Sequence, residues 1–185
     1  MPLLLFTGVR ASELLGLTWE DIDFDRQVIR VRYQMSRKGN ERVLLKSESG
    51  RREVILMREV AHRLRKARLA ARFSNQTDLV VANSVGKTLG YRRLANVFAA
   101  ACDAAGVHGV TPHTCRHTFA SILIDQGRDV EFVSQQLGHA STKTTWDTYV
   151  HLFRAREHAD AARRDLDAAF GRMLRAADDP SPLDQ

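Results

Sequence analysis

The sequence predicts a mostly α-helical α+β domain, with a small antiparallel β-sheet near the N-terminus packed on a helical bundle. Alternation of apolar and polar residues is confined to residues 27–56, and apolar residues at helical spacing dominate the rest. A chain of 185 residues can bury one core but is short for two. We therefore expect one domain over 1–176, followed by a disordered tail over 177–185.

The N-terminal third carries the predicted strands. Gly8 interrupts an apolar opening, and the leucines of 11–17 then predict a short helix. Residues 27–33 alternate with period two, as in a half-buried strand. Apolar runs at 43–45 and 54–56 predict further strands, giving a sheet of two or three strands with basic hairpin tips.

Six helices are predicted after the strands. Thr111 and Pro112 are favoured residues at a helix start, and so is Asp129, whereas Gly138 is a favoured residue at a helix end. A short apolar segment at 78–83 interrupts the series. The helices are expected over 58–72, 91–105, 112–126, 129–137, 141–149 and 154–176.

The composition is that of an ordinary globular protein, with 44% hydrophobic and 27% charged residues. No apolar run approaches the roughly 20 residues of a membrane span, and the opening run lacks a basic leader. We therefore expect a cytoplasmic protein without a membrane partner. The two cysteines, Cys102 and Cys115, are predicted to be buried or half-buried and to carry no chemistry.

Positive charge is concentrated in residues 26–72, where 15 basic residues stand against 4 acidic ones. This density is typical of a surface that binds a phosphate backbone. A solvated helix face explains this charge density almost as well. The charge therefore suggests a nucleic-acid partner but does not establish one.

Six side chains could together carry phosphoryl transfer. His113 and Arg116 lie three apart on one predicted helix and project from the same face. Arginine can contact two phosphate oxygens while histidine exchanges a proton, and a tyrosine hydroxyl can attack phosphorus. A nucleophile beside several cations makes this chemistry possible without a metal. The candidates are Arg10, Lys46, His113, Arg116, His139 and Tyr149.

In order and spacing, the segments around these residues resemble the tyrosine recombinase (phage integrase) family over residues 3–152. Arg10 stands in the block TGVRASELLGL, and the pair His113 and Arg116 stands in HTCRHTFA. His139 ends LGH, ten residues before Tyr149. Lys46 precedes Gly-Arg-Arg in a segment like the family's K-T-x-x-S-x-R hairpin. One such motif is a weak signal, whereas six in order are a strong one.

The resemblance implies a reaction in which Tyr149 attacks the scissile phosphate, forms a 3′-phosphotyrosyl link and releases a 5′-hydroxyl. Lys46 would protonate the leaving 5′-oxygen, and His113 would assist proton transfer at the tyrosine. The 5′-end of a partner strand then attacks the phosphotyrosine and reseals the backbone.

The remaining implied roles concern charge and partners. Arg10 and Arg116 would neutralise the transition state, and His139 would donate a further hydrogen bond. The resemblance implies double-stranded DNA as partner, no cofactor and no metal, and a homo-tetramer on DNA for a full-length member. It also implies that the N-terminal core-binding domain and the first catalytic helix are missing. We therefore expect a truncated product or remnant with weak, salt-sensitive DNA binding.

Several alternatives stay open. Lys38 could replace Lys46 as the catalytic lysine. His113 and His117, four apart, could suggest a zinc pair, but no third ligand is suitably spaced. The segment 129–145 resembles a helix-turn-helix, which would fit a DNA-binding regulator. Type IB topoisomerases use a similar set of residues. Glu13 is expected to hold the segment of Arg10.

Overall fold

The computed structural model describes residues 2–36, 38 and 41–178, which form two compact units that meet in sequence between Thr148 and Tyr149. The single domain expected over 1–176 stays a prediction. The helices are α1 (Pro2–Thr7), α2 (Ala11–Gly16), α3 (Arg58–Ala70), α4 (Tyr91–Ala104), α5 (Pro112–Asp125), α6 (Val130–Leu137) and α7 (Thr142–Asp178), with a 3₁₀ turn at Trp19–Asp21. The strands are β1 (Ile22–Asp23), β2 (Val28–Val31), β3 (Tyr33–Met35), β4 (Arg42–Leu44) and β5 (Arg52–Ile55).

The described strands form two antiparallel sheets, in the orders β1-β2-β5 and β3-β4, where the sequence predicted one. The single strand predicted over 27–33 is interrupted at Arg32, whose guanidinium binds the buried carboxylate of Asp21. Within β2 the predicted alternation is confirmed, because Ile29 and Val31 are fully buried. The strand pattern therefore located the buried face correctly and missed the break.

Local end signals determine α5 and α6, as predicted. The Thr111 hydroxyl accepts a hydrogen bond from the amide of Thr114, and Pro112 is the first residue of α5. The Asp129 carboxylate accepts from the amide of Phe132 at 2.7 Å. Gly138 ends α6 in the left-handed conformation, with φ at 65°. These caps place Arg116 within one helix and His139 directly after the other.

The apolar opening folds as helix α1, which packs against α5. Gly8 turns the chain sharply after α1, with φ at +62°. A Cβ on Gly8 would lie 2.4 Å from the ring of Phe119 in α5, so only glycine fits there. This close approach brings the segment before Arg10 against the helix of Arg116.

The last helix, α7, runs without interruption where two helices were predicted, so the separation at 150–153 was wrong. Residues 150–153 contain neither glycine nor proline, and nothing local stops the helix. Ala177 and Asp178, assigned to the tail by sequence, belong to α7, and residues 179–185 lie outside the described part. The second unit begins at Tyr149, and its described part is α7 from that residue onwards.

Of the helices described, none combines the length and apolarity needed to cross a membrane. Cys115 is buried and Cys102 half-buried, as predicted. The core of the first unit combines residues of α1, α2, the strands and α3, among them Leu4, Leu15, Ile29, Val54 and Leu56, each at most 1% exposed.

Candidate functional site

Arg116 is a buried arginine, 4% exposed, in the middle of α5. Its Nη1 donates to the carbonyl oxygen of Gly8 at 2.6 Å, and its Nη2 donates to the carbonyl oxygen of Leu137. The residue therefore joins the turn after α1 to the end of α6, and its charge lies inside the first unit.

Arg10 lies at the start of α2, with its side chain 39% exposed. Its Nη1 donates to Glu13 Oε1 at 2.7 Å, and its Nη2 donates to the carbonyl oxygen of Gly138 at 3.2 Å. Its backbone amide donates to Glu13 Oε2 at 2.8 Å. These contacts use two of the five N–H groups of the guanidinium. The side chain is thus oriented and still has donors to offer.

Arg52 in β5 is a third arginine at this place, and sequence assigned it no role. Its Nε donates to the carbonyl oxygen of Gln136 at 2.8 Å, and its two other nitrogens contact Glu13 at 3.1 and 3.0 Å. Its only sequence signal is its place in the Gly50-Arg51-Arg52 segment after Lys46.

The three arginines bind three consecutive carbonyl oxygens at the C-terminal end of α6. The guanidinium of Arg52 donates to the carbonyl oxygen of Gln136, that of Arg116 to the carbonyl oxygen of Leu137, and that of Arg10 to the carbonyl oxygen of Gly138. The last carbonyls of a helix lack intrahelical partners and carry its partial negative charge, so cations are favoured there. The end of α6 therefore gathers three positive charges in one place.

Glu13 is the carboxylate at the centre of this cluster and is fully buried. Burial by itself raises the pKa of Glu13. The charge and hydrogen bonds of Arg52, with the amide and charge of Arg10, outweigh that effect and lower the pKa below its usual value. Glu13 thus stays ionised and holds both arginines, as the sequence led us to expect for Arg10.

His113 and Arg116 do face the same side of α5, since both line one cleft of about 420 Å³ together with Arg10. His113 is exposed, and its ring contacts that of His117 edge to face, with 4.5 Å between centroids. Within the described ranges, no cluster of three or more His, Cys, Asp or Glu side chains could hold a metal ion.

His139 follows Gly138 in the turn between α6 and α7, and its Nδ1 lies 2.8 Å from the hydroxyl of Thr145. Burial, the largest cause, and the positive charges of Arg116, Arg10 and Arg52 lower the pKa of His139 to about 4. The imidazole is therefore neutral at pH 7, with one nitrogen as donor and the other as acceptor.

Lys46 is exposed in the bend that follows β4, and it forms no hydrogen bond or ion pair within the part of the chain that is described. Lys38 is also exposed. Tyr149 lies in α7 as the first residue of the second unit. The first unit thus brings together Arg10, His113, Arg116 and His139, whereas Lys46 lies in the connection between β4 and β5, which belong to different sheets and so do not form the hairpin expected there.

Much of the basic charge predicted over 26–72 is paired within the protein. Acidic residues from outside this range, such as Asp21, Asp23 and Glu13, neutralise several of its arginines. Asp21 contacts both Arg32 and Arg42, at 2.6 and 2.8 Å. The charge count of the sequence therefore overstates the positive charge that this region can offer to a phosphate backbone.

Comparison with solved structures identifies the fold. The chain matches the Tn1549 transposon integrase in complex with circular intermediate DNA, with a TM-score of 0.73, 25% identity, and coverage of 87% of this chain and 57% of that one. The crystal structure of XerA recombinase matches with a TM-score of 0.63 and 30% identity, over 90% of this chain and 55% of that one.

Sequence comparison agrees. The tyrosine recombinase XerC of Corynebacterium glutamicum is 32% identical over 158 residues, which is 84% of this chain and 46% of the relative. The tyrosine recombinase XerD of Mycobacterium tuberculosis is 34% identical over 152 residues, 78% of this chain and 44% of the relative. The chain thus spans about half the length of these curated relatives. The model of the phage integrase family matches residues 1–156. This chain belongs to the phage integrase family.

Proposed function

We propose that this chain is the catalytic part of a site-specific DNA recombinase that cleaves and rejoins strands through a 3′-phosphotyrosyl intermediate. The observation that carries the proposal is the convergence of Arg10, Arg52 and Arg116 on the end of α6, beside His139. A cluster of fixed donors in a partly buried site favours the additional negative charge of a pentacoordinate phosphate.

In the first step, the phenolic oxygen of Tyr149 forms a bond to phosphorus, and the bond from phosphorus to the 5′-oxygen breaks. His113 assists removal of the tyrosine proton, and Lys46 donates a proton to the departing 5′-oxygen. Lys46 suits this role because its exposed ammonium, in the connection between β4 and β5, can approach a bound strand.

In the same step, the arginines and His139 stabilise the negative charge that develops on the phosphate oxygens. Arg10 and Arg116 neutralise the non-bridging oxygens, and His139 donates a hydrogen bond to one of them. Arg10 has N–H groups left after its contacts with Glu13 and Gly138, so it can contact a phosphate without giving up its orientation.

In the second step, the 5′-hydroxyl of a partner strand gives its proton to Lys46 and forms a bond to phosphorus, while the bond from phosphorus to Tyr149 breaks and the phenolic oxygen regains a proton with the help of His113. One phosphodiester replaces another through the phosphotyrosine, so the bond energy is conserved and no nucleotide triphosphate is required. Double-stranded DNA is the proposed substrate. Relatives solved on DNA support it, including XerH bound to palindromic difH, 25% identical over 86% of this chain and 43% of that one, with a TM-score of 0.62. A homo-tetramer on DNA is proposed for the active form.

A helix-turn-helix regulator is a weaker proposal. Its turn would be the segment after α6, where the three arginines donate hydrogen bonds to successive carbonyl oxygens. A DNA-reading turn has no need of such a cluster, whereas a phosphate-binding site does.

The test uses covalent capture. The purified chain is incubated with a pool of nicked suicide duplexes of randomised sequence, whose cleavage releases a short strand and prevents rejoining. We expect a protein–DNA adduct that survives boiling in detergent and is absent with Tyr149→Phe. The matched controls are Tyr33→Phe and Tyr91→Phe, because these are the other two tyrosines of the chain. An adduct that persists with Tyr149→Phe would assign the nucleophile elsewhere. Tight binding of one sequence without any adduct would favour the regulator.

A further inference from the structure

The hydroxyl of Thr145 is buried next to the imidazole of His139. Thr145 is 0% exposed, and its Oγ1 lies 2.8 Å from Nδ1 of His139. Within the described part of the chain this imidazole nitrogen is the hydroxyl's one partner. The usual alternative for a helical threonine is the carbonyl four residues earlier, which Thr148 uses on the same helix and Thr145 does not.

A buried hydroxyl hydrogen needs an acceptor, and Nδ1 of His139 is the acceptor available here. If Nδ1 carried a proton instead, it would donate to Oγ1 of Thr145, and the hydroxyl hydrogen would then have no acceptor among the described residues. The hydrogen bond therefore runs from the Thr145 hydroxyl to Nδ1, and the single proton of the neutral imidazole resides on Nε2.

The surroundings of the ring agree with this arrangement. His139 lines a cleft of about 360 Å³ together with Arg52, Ser134 and Ser141. It also lies within electrostatic reach of Arg116 and Arg10. With Nδ1 occupied by Thr145, Nε2 is the nitrogen left to face a ligand. An N–H group at Nε2 can donate to a phosphate oxygen, whereas an unprotonated Nε2 would repel it.

We propose that Thr145 is a positioning residue that keeps His139 in the tautomer with its proton on Nε2, so that the imidazole is always ready to donate to the scissile phosphate. The statement about the phosphate rests on the proposed recombinase function, whereas the statement about the tautomer does not. Thr145 touches His139 alone in this role and does not touch substrate. The sequence contains no distinguishing signal for it, since Thr144 and Thr145 are adjacent and identical.

Nitrogen NMR tests the tautomer directly. In long-range ¹H–¹⁵N spectra of the labelled full chain near pH 7, a protonated imidazole nitrogen and an unprotonated one have widely separated shifts. Loss of signals in His139→Gln identifies this residue among the seven histidines. We expect Nε2 protonated and Nδ1 unprotonated in the wild type and in Thr145→Ser, which keeps the hydroxyl. We expect a mixture of tautomers in Thr145→Val, which keeps the shape and loses the hydroxyl.

Thr144→Val is the matched control, because Thr144 is exposed and adjacent to Thr145. It should leave the His139 spectrum unchanged. A wild-type spectrum with the proton on Nδ1, or a Thr145→Val spectrum identical to the wild type, would overturn the inference. The wild-type and Thr145→Ser spectra decide the direction of the hydrogen bond even if Thr145→Val fails to fold.

Covalent capture tests the consequence for catalysis. Groups that orient a functional imidazole contribute about 10- to 100-fold in metal sites, and we expect a loss of that order in the cleavage rate of Thr145→Val. The affinity for DNA should stay unchanged, and Thr145→Ser should restore the rate to within about threefold. An unchanged rate in Thr145→Val would overturn the role in catalysis. Absence of any adduct in the wild type would instead count against the recombinase proposal, while the spectra would still decide the tautomer.

Discussion

Glu13 and Arg52 form a two-pronged ion pair inside the first unit, with Oε1 to Nη1 at 3.1 Å and Oε2 to Nη2 at 3.0 Å. The side chains are 0% and 6% exposed. The same carboxylate holds the amide and the guanidinium of Arg10. The orientation of Arg10 therefore depends on a residue of β5 that lies 39 positions after Glu13.

Arg52→Gln tests how much the fold depends on this pair. The substitution leaves Glu13 buried with only Arg10 as a charged partner, and breaking a buried pair in this way costs about 3 kcal/mol or more. We expect a loss of that order in the free energy of unfolding, measured by urea titration. The matched control is Arg63→Gln, which breaks an exposed pair with Glu59 whose side chains are 66% and 65% exposed. It should cost less than about 1 kcal/mol. Equal losses in both variants would show that the buried pair has no special role.

Gly138→Ala should be more destabilising than its backbone conformation alone explains. A Cβ at Gly138 would lie 2.7 Å from Nη1 of Arg52, in addition to the strain at φ +65°. Gly106→Ala is the matched control, because Gly106 has φ +67° and nothing within 4 Å of the added Cβ. We expect the control to cost about 1 kcal/mol and Gly138→Ala to cost at least about 1 kcal/mol more through displacement of Arg52. Urea unfolding measures both, and indistinguishable values would contradict the steric contact.

Acid should destabilise the fold through His139. The pKa of this imidazole is about 4 in the folded chain against a usual 6.5, so between those values the unfolded chain binds the proton and the folded chain does not. Stability is therefore complete above about pH 6.5 and declines as the pH falls toward 4. Because the ring is only partly buried, we expect about 1 kcal/mol more loss between pH 7 and 5 in the wild type than in His139→Gln. The control is His108→Gln, an exposed histidine, which should keep the wild-type pH dependence. If the free energy of unfolding falls equally with pH in the wild type and in His139→Gln, the prediction is wrong.

The choice between Lys46 and Lys38 can be made with a modified leaving group. A 5′-thio leaving group needs no proton, so a variant without the general acid should cleave it at close to the wild-type rate. We expect Lys46→Ala to slow cleavage of the normal 5′-oxygen substrate by about 100-fold or more and to spare the 5′-thio substrate. Lys38→Ala should affect neither strongly. Selective rescue of Lys38→Ala instead would transfer the role to that residue.

Local patterns of the sequence predicted the features that depend on neighbouring residues. Thr111 and Asp129 start helices because their side chains accept hydrogen bonds from amides of the following turn, and Pro112 fits the first helical position. Such interactions involve residues that are close in sequence. The alternation around Ile29 located the buried face of β2. The family resemblance is likewise a matter of linear motifs, and the match of the family model over residues 1–156 confirms it.

Contacts between distant residues decided the rest. Arg10 meets Gly138 across 128 positions and Arg116 meets Gly8 across 108, and no local pattern indicates either partner. No local pattern indicates that Arg52 joins the arginine cluster at the end of α6. Nor does one indicate that Asp21 neutralises Arg32 and Arg42, or that the predicted strand breaks at Arg32. Sequence by itself thus determined which chemical groups this protein carries and that His113, Arg116 and Tyr149 lie on helices. Tertiary structure decided which groups are paired and which remain to bind a ligand, because buried charges and helix-end carbonyls are satisfied by whatever side chain the packing brings to them.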